Sequence, residues 1–330
     1  MATYKGIQGF SIQNLSADPS NPIEGQVWYN STSNVWKVEE ATTVGAWATG
    51  GGLPTATDNN SGAGYQTAAL TFGGDNPGST DVTASYSYDG SAWSPTSSLN
   101  TGRRYLMGTG IQTAALAMGG INTGPTGATE LWDGSTWTSN PTGLTRGSST
   151  YDAGQAGTQT AALVFGGEPT SAATESWNGS VWTAVNSLNT ARHSLTGSGT
   201  QTAALGFGGQ SATAATGATE EYDGTSWATS PGSLNTARNG IDGSINGTQT
   251  ATLAFGGSDP FPGQNATELY DGTSWTSSPA SLSTGRVRGA GAGTASSALA
   301  TGGANPGGRV SATEEWTGPG AAVTKTITVS

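Results

Sequence analysis

Six Gly-Gly pairs govern what this chain can fold into. They stand at Gly73-Gly74, Gly119-Gly120, Gly166-Gly167, Gly208-Gly209, Gly256-Gly257 and Gly302-Gly303, each closing a short apolar run such as "QTAALGF" (Gln201 to Phe207). Successive pairs are 46, 47, 42, 48 and 46 residues apart. A period of that length holds four strands and their turns. Each unit reads as a Gly-rich strand ("GAGAGT", Gly289 to Thr294), the apolar strand, and a third strand such as "ATELY" (Ala266 to Tyr270). A turn of the Asp-Gly or Asn-Gly kind follows, a strong hairpin signal, and then a fourth strand carrying tryptophan, as at Trp275.

Residue size grows along the unit, as sheets radiating from an axis require. Inner strands are crowded and favour Gly and Ala, whereas outer strands diverge and need Tyr and Trp between them. Trp93, Trp137, Trp182, Trp227 and Trp275 are therefore assigned to packing between sheets rather than to ligand stacking. With "AALGFGG", "EEYDGTSW" and "LNTAR", the unit resembles the kelch repeat over roughly residues 45–330. The resemblance implies an all-β fold, a kelch-type β-propeller of four-stranded antiparallel blades. Kelch propellers serve enzymes, adaptors and adhesins alike, so function has to be argued from sites.

Two charges recur together. Arg103, Arg146, Arg192, Arg238 and Arg286 open units two to six, and Glu130, Glu175, Glu220, Glu268 and Glu314 lie on the third strands of the same units. The first unit departs at both positions, with Thr57 and Tyr86. A buried arginine without its carboxylate is costly, so joint loss predicts five structural ion pairs, one per unit. The alternative is a ring of arginines gripping an anion at a channel mouth.

Closure of the ring leaves two arrangements. Trp47 precedes Gly73 by 26 residues, as Trp93 precedes Gly119, so Trp47 matches a fourth-strand tryptophan. With strands near Val27–Tyr29 and Val35–Glu40 it predicts a degenerate first blade, giving seven; the alternative is six blades plus an N-terminal hairpin. Domain bounds follow as 1–26 for an N-terminal attachment segment and 27–330 for the propeller. Within "SADPSNPIEGQVWYNSTSNVWKV", Gly25, Val27, Trp28, Tyr29, Asn30, Trp36 and Lys37 resemble short N-terminal modules of tailed-phage virion proteins, especially tail-fibre-like ones.

The ionisable residues narrow the chemistry. A net charge of −11 without a basic run argues against nucleic-acid binding. No apolar run is long enough for a membrane span, and no signal peptide is evident. With no cysteine and one histidine, the copper chemistry of galactose oxidase, a kelch relative, lacks its ligands. Sialidase Asp-box turns have one residue more than Asp223-Gly224-Thr225-Ser226-Trp227. A Ser-His-Asp triad would have to use His193, which sits at the start of an inner strand. A carboxylate pair for glycoside hydrolysis stays open among 22 acids, although Asp-Gly aspartates are accounted for by turn geometry. No phosphate loop, calcium-loop spacing, metal or cofactor site is predicted.

Loops after the Gly-Gly pairs vary ("DNPGSTDV", "INTGPT", "SDPFPGQN", "ANPGGRVS"), whereas the opposite turns repeat. Variation on a rigid scaffold is where binding usually lies, which nominates Phe261, Asn76, Asn122 and Asn305 as ligand contacts. The expectation is a non-enzymatic structural virion protein of a tailed bacteriophage, located in the extracellular particle. Its partners would be other virion proteins through the N-terminal segment, a cell-surface glycan or receptor, and further copies of itself. The alternatives are a polysaccharide-active propeller enzyme and a kelch protein-interaction adaptor.

Overall fold

Each Gly-Gly unit folds into an open four-stranded sheet whose strands alternate in direction. A computed structural model describes residues 13–19, 26–41, 44–78, 81–146, 150–259, 263–320 and 322–327. The larger of its two compact units, Ala46–Thr317, contains six such sheets. The first runs through Ser61–Tyr65, Ala68–Phe72, Ser85–Tyr88 and Trp93–Thr96; the second through Met107–Ile111, Ala114–Met118, Thr129–Trp132 and Trp137–Asn140. The third comprises Gly154–Gly157, Ala162–Phe165, Thr174–Trp177 and Trp182–Val185, and the fourth Thr196–Thr200, Ala203–Phe207, Thr219–Tyr222 and Trp227–Thr229. In the fifth, Asp242–Gly243 precedes Thr252–Phe255, Thr267–Tyr270 and Trp275–Ser277.

The sixth sheet is assembled from both ends of the unit. Ala290–Thr294, Ser297–Thr301 and Thr313–Thr317 receive Ala46–Thr49 as their fourth strand, with Trp316 opposite Trp47. This is the register of Trp132 opposite Trp137 and Trp177 opposite Trp182. The first strands of the sheets neighbour one another in cyclic order, first to sixth and back to first.

Crowding along these first strands dictates their small residues. A Cβ on Gly291 would lie 2.0 Å from the Gly243 carbonyl oxygen, and one on Gly108 would lie 2.5 Å from the Phe72 ring. Further out, tryptophan fills the gaps. The indole N–H of each fourth-strand tryptophan donates to a hydroxyl on the preceding sheet's third strand. Trp93 reaches Thr313, Trp137 Ser85, Trp182 Thr129, Trp227 Thr174, Trp275 Thr219 and Trp47 Thr267, at 2.9–3.2 Å. A buried indole both removes a large apolar area from water and needs a partner for its N–H, and this arrangement supplies both.

These observations correct the expected seven-bladed kelch-type propeller. The repeat contains six sheets, none of which closes on itself, and Trp47 belongs to the sixth rather than to an extra N-terminal one. The final segment, Ala322–Ile327, leaves the repeat and pairs with Val35–Ala41. The other compact unit holds that pair within a separate sheet, which runs Gln13–Leu15, Val27–Asn30, Val35–Ala41 and Ala322–Ile327. Its first two strands are parallel. Nearby, Asp18 accepts hydrogen bonds from Trp28 and Asn30 and pairs with Lys37, which together hold its carboxyl down at about 2.

Candidate functional site

One residue just ahead of each inner strand adopts the left-handed backbone conformation. These are Asn59, Tyr105, Asp152, Ser194, Gly240 and Arg288, with φ between 52° and 58°. Only one is glycine, and such a conformation disfavours other residues by about 1–3 kcal/mol unless the surroundings enforce it. Here they do. The N–H of Tyr105 donates to the Asn59 carbonyl, Asp152 to Tyr105, Ser194 to Asp152, Gly240 to Ser194, Arg288 to Gly240 and Asn59 to Arg288, all at 2.8–2.9 Å. Six backbone hydrogen bonds thus close a circle around the axis. The repeated scaffold presents five different side chains and one glycine there.

Below this circle lies a cavity of about 80 Å³, lined by Asn59, Asn60, Tyr105, Asp152, Asp242 and Arg288 among others. Asp242 starts the inner strand of the fifth sheet, opposite Phe255, with the buried Ile241 and Ile245 also on the cavity wall. Its Oδ2 accepts the Gly289 N–H at 3.1 Å. Burial outweighs that bond and the nearby Arg286 charge, pushing the carboxyl up to about 7. Asp242 therefore exchanges its proton near neutral pH, the range in which an acid–base catalyst works best.

A second carboxylate lines the same cavity. Asp152 Oδ2 accepts the Ser194 hydroxyl at 2.5 Å, and His193 Nδ1 lies 3.7 Å from that oxygen and 3.2 Å from Glu168 Oε2. The Asp152 contact, with the charges of both carboxylates, raises the His193 pKa despite partial burial. His193 thus places its imidazole beside Asp152, with Nδ1 also 3.0 Å from Ser194 Oγ. The Ser194 hydroxyl proton points to the aspartate, so the order of a Ser-His-Asp nucleophile is not formed. Arg288 is exposed, its guanidinium 5.5 Å from the Tyr105 ring centroid, and it has no ion-pair partner among the described residues. The buried side-chain oxygens of Asn59 and Asn60 likewise accept no hydrogen bond. Among the described residues no group of three or more His, Asp or Glu is placed to hold a metal ion.

Of the residues nominated from sequence, Asn76, Asn122 and Asn305 do not line this cavity. Asn76 Oδ1 accepts the Gly78 N–H at 3.0 Å and Asn305 Oδ1 accepts that of Gly307 at 2.8 Å, so both oxygens fold their own turns. Asn122 is half-buried, with its backbone N–H on the Gly124 carbonyl. Phe261 lies outside the described residues. The recurrent arginines are buried within the sheets: Arg103 lies 3.1 Å from Glu130, Arg192 3.0 Å from Glu220, Arg238 2.7 Å from Glu268, and Arg286 contacts Glu314. Arg146 is held more loosely, 3.9 Å from Glu175. Its backbone place is taken by Thr150, whose carbonyl accepts the Gly120 N–H as Arg103 accepts that of Gly74.

Asp242 and Arg288 escape a reading based on recurrence. "DG" at Asp242-Gly243 imitates the hairpin turns, yet it lies in an inner strand where the other sheets carry Ser61, Met107, Gly154, Thr196 and Ala290. Being the one acid at that position was the available signal.

No family model matches the chain, and no curated protein matches it. Among solved structures, that of YjhT shares the fold, with a TM-score of 0.63 at 15% identity, covering 81% of this chain and 96% of that one. At that identity the likeness concerns the fold alone. None of these comparisons lends support to the expected tailed-phage structural protein with virion partners, and that expectation is withdrawn. The resemblance to kelch repeats falls with the seven-bladed arrangement. Residues 13–15 of the expected attachment segment spend their strand hydrogen bonds on Val27–Asn30. The non-enzymatic assignment is withdrawn too, since the fold match gives it no support and the cavity carries acid–base groups.

Proposed function

We propose that the cavity mouth is the active centre of a carbohydrate-active enzyme that hydrolyses a glycosidic bond. The carrying observation is the pair Asp242 and Asp152 on one cavity, with burial pushing Asp242 up to about 7. Two carboxyl groups in unlike surroundings are what this chemistry needs, one supplying a proton and the other assisting attack. Asp242 gives its proton to the glycosidic oxygen as the bond from the anomeric carbon breaks. Water adds to that carbon and yields a proton to Asp152, and solvent exchange restores both groups. The products are a hemiacetal sugar and the freed alcohol, with one water consumed.

The neighbours suit a polyhydroxylated substrate. Arg288 offers donors to sugar hydroxyls, and Tyr105 offers an aromatic face. The cavity is smaller than the engineered one of about 150 Å³ that accommodates benzene, so a sugar dips one edge into it and rests on the mouth.

The test is release of reducing ends from a panel of polysaccharides and oligosaccharides. Asp242→Asn and Asp152→Asn should each lower kcat by about 10²–10⁴-fold without loss of folding. Full turnover by Asp242→Asn would sink the assignment.

A further inference from the structure

The fifth sheet departs from its neighbours by two residues. Thr196 to Gln201 spans five steps in the fourth sheet, whereas Asp242 to Gln249 spans seven in the fifth. The extra length is taken up around Ile245-Asn246. Ser244–Gly247 forms a turn closed by the Gly247 N–H on the Ser244 carbonyl at 2.8 Å, leaving only Asp242–Gly243 as inner strand. The turn projects across the axis. Asn246 Nδ2 donates at 3.1 Å to the carbonyl of Gly110, near the far end of the second sheet's inner strand. The second and fifth sheets stand opposite each other in the cyclic order. The Asn246 N–H donates to the Gly293 carbonyl of the sixth sheet at 2.9 Å, and Ser198 Oγ of the fourth donates to the Ser244 carbonyl at 3.0 Å. Four of the six sheets are thereby tied together at one level, and Ile245, 4% exposed, lies on the cavity wall above it.

We infer that Ile245-Asn246 is a plug that turns the central channel into a blind cup, so that only the end of a glycan chain enters. The substrate class rests on the proposed hydrolase; the plug does not. A channel open at both ends lets a chain thread through and be cut internally. A cup with a sealed floor admits a terminal unit, and substrate and product share the single mouth ringed by Asn59, Tyr105, Asp152, Ser194, Gly240 and Arg288. Ile245 and Asn246 act through Asp242 and the cavity shape, which makes them positioning residues. Sealing the floor also limits the water that reaches the half-buried Asp242, in keeping with its displaced titration.

The experiment compares the full chain with a variant in which Ile245 and Asn246 are deleted, restoring the spacing of the fourth sheet. A milder variant, Asn246→Ala, keeps the backbone and removes only the bond to Gly110. Two readouts are taken. Carboxyl NMR titration of Asp242, assigned with Asp242→Asn, should show its midpoint falling by at least one pH unit in the deletion and by less in Asn246→Ala. An unchanged midpoint in a folded deletion variant overturns the plug; if the deletion does not fold, an unchanged midpoint in Asn246→Ala does so. Product analysis on end-blocked and unblocked oligosaccharides should show terminal release by the native chain and none from blocked ends. Internal cleavage of blocked chains overturns the chain-end inference while leaving the hydrolase in place. No turnover on any glycan, with the titration shift observed, overturns the hydrolase and supports the plug.

Discussion

Trp47 and Trp316 lie opposite each other in the sixth sheet, ring centroids 5.4 Å apart, although they come from the two ends of the repeat. The same indole meets Phe255 edge-on at 5.1 Å and donates to Thr267 on the fifth sheet. The strand Ala46–Thr49 thus completes the sixth sheet from the other end of the repeat, alongside the contacts that join the sixth and first sheets directly, such as Trp93 to Thr313.

Trp47→Ala should accordingly cost about 2–3 kcal/mol, less than a fully buried aromatic, because Trp47 is only partly buried. Urea unfolding measures it. Because the strand completes the sixth sheet, the variant should also show faster hydrogen exchange in Ala46–Thr49 and Thr313–Thr317 than in the second sheet. Equal protection across all sheets would refute that role.

Asp242 predicts an unusual dependence of stability on pH. Its folded pKa, about 7, lies above the ordinary carboxyl value of 3.8, so the folded state binds more protons between those values. Stability from this group is fully present below about 4 and is lost as pH rises through 7. Asp242→Asn removes the dependence. It should be more stable than the native chain at pH 8, by roughly 4 kcal/mol, and no more stable at pH 4. Thermal melts at the two pH values decide it, and a constant difference would assign the effect to packing.

The first sheet offers a design test. Thr57 and Tyr86 replace the arginine and glutamate of the other units and border a void of about 10 Å³, too small for more than one water. In the fourth sheet Arg192 Nη1 donates to the Gly208 and Ala218 carbonyls, whose counterparts here are Gly73 and Ala84, both on the wall of that void. Thr57→Arg alone should destabilise by about 3–5 kcal/mol through an unpaired buried charge. Adding Tyr86→Glu should recover at least half of the loss in a double-mutant cycle. Additive losses would mean that the two positions do not meet.

The strand pattern was legible because it is local. Period, turn residues and the gradient from Gly to Trp all report on neighbours in the chain. Closure was not, since the spacing of Trp47 identifies which strand it belongs to without identifying its partners, which lie at Thr313–Thr317. The site was hidden for a related reason. Asn59, Tyr105, Asp152, Ser194, Gly240 and Arg288 share a backbone conformation and no side-chain chemistry, so a search for recurring residues passes over them. The positions of Arg103 and Glu130 could be paired in sequence because the first unit departs at both; nothing comparable flags Asp152, whose partners His193 and Ser194 come from the next sheet.

The circle of six backbone hydrogen bonds separates inheritance from invention in this molecule. Its donors and acceptors are main-chain atoms, so exchanging a side chain there leaves the bonds that fix the circle intact, provided the newcomer tolerates the left-handed conformation. The six positions share one backbone conformation and differ in chemical character, with side-chain contacts between only some of them, Ser194 to Asp152 and Arg288 to Tyr105. A library varying these six residues, with Asn and Gly as the conformationally safest starting points, would sample new ligand specificities on a frame that is indifferent to the outcome.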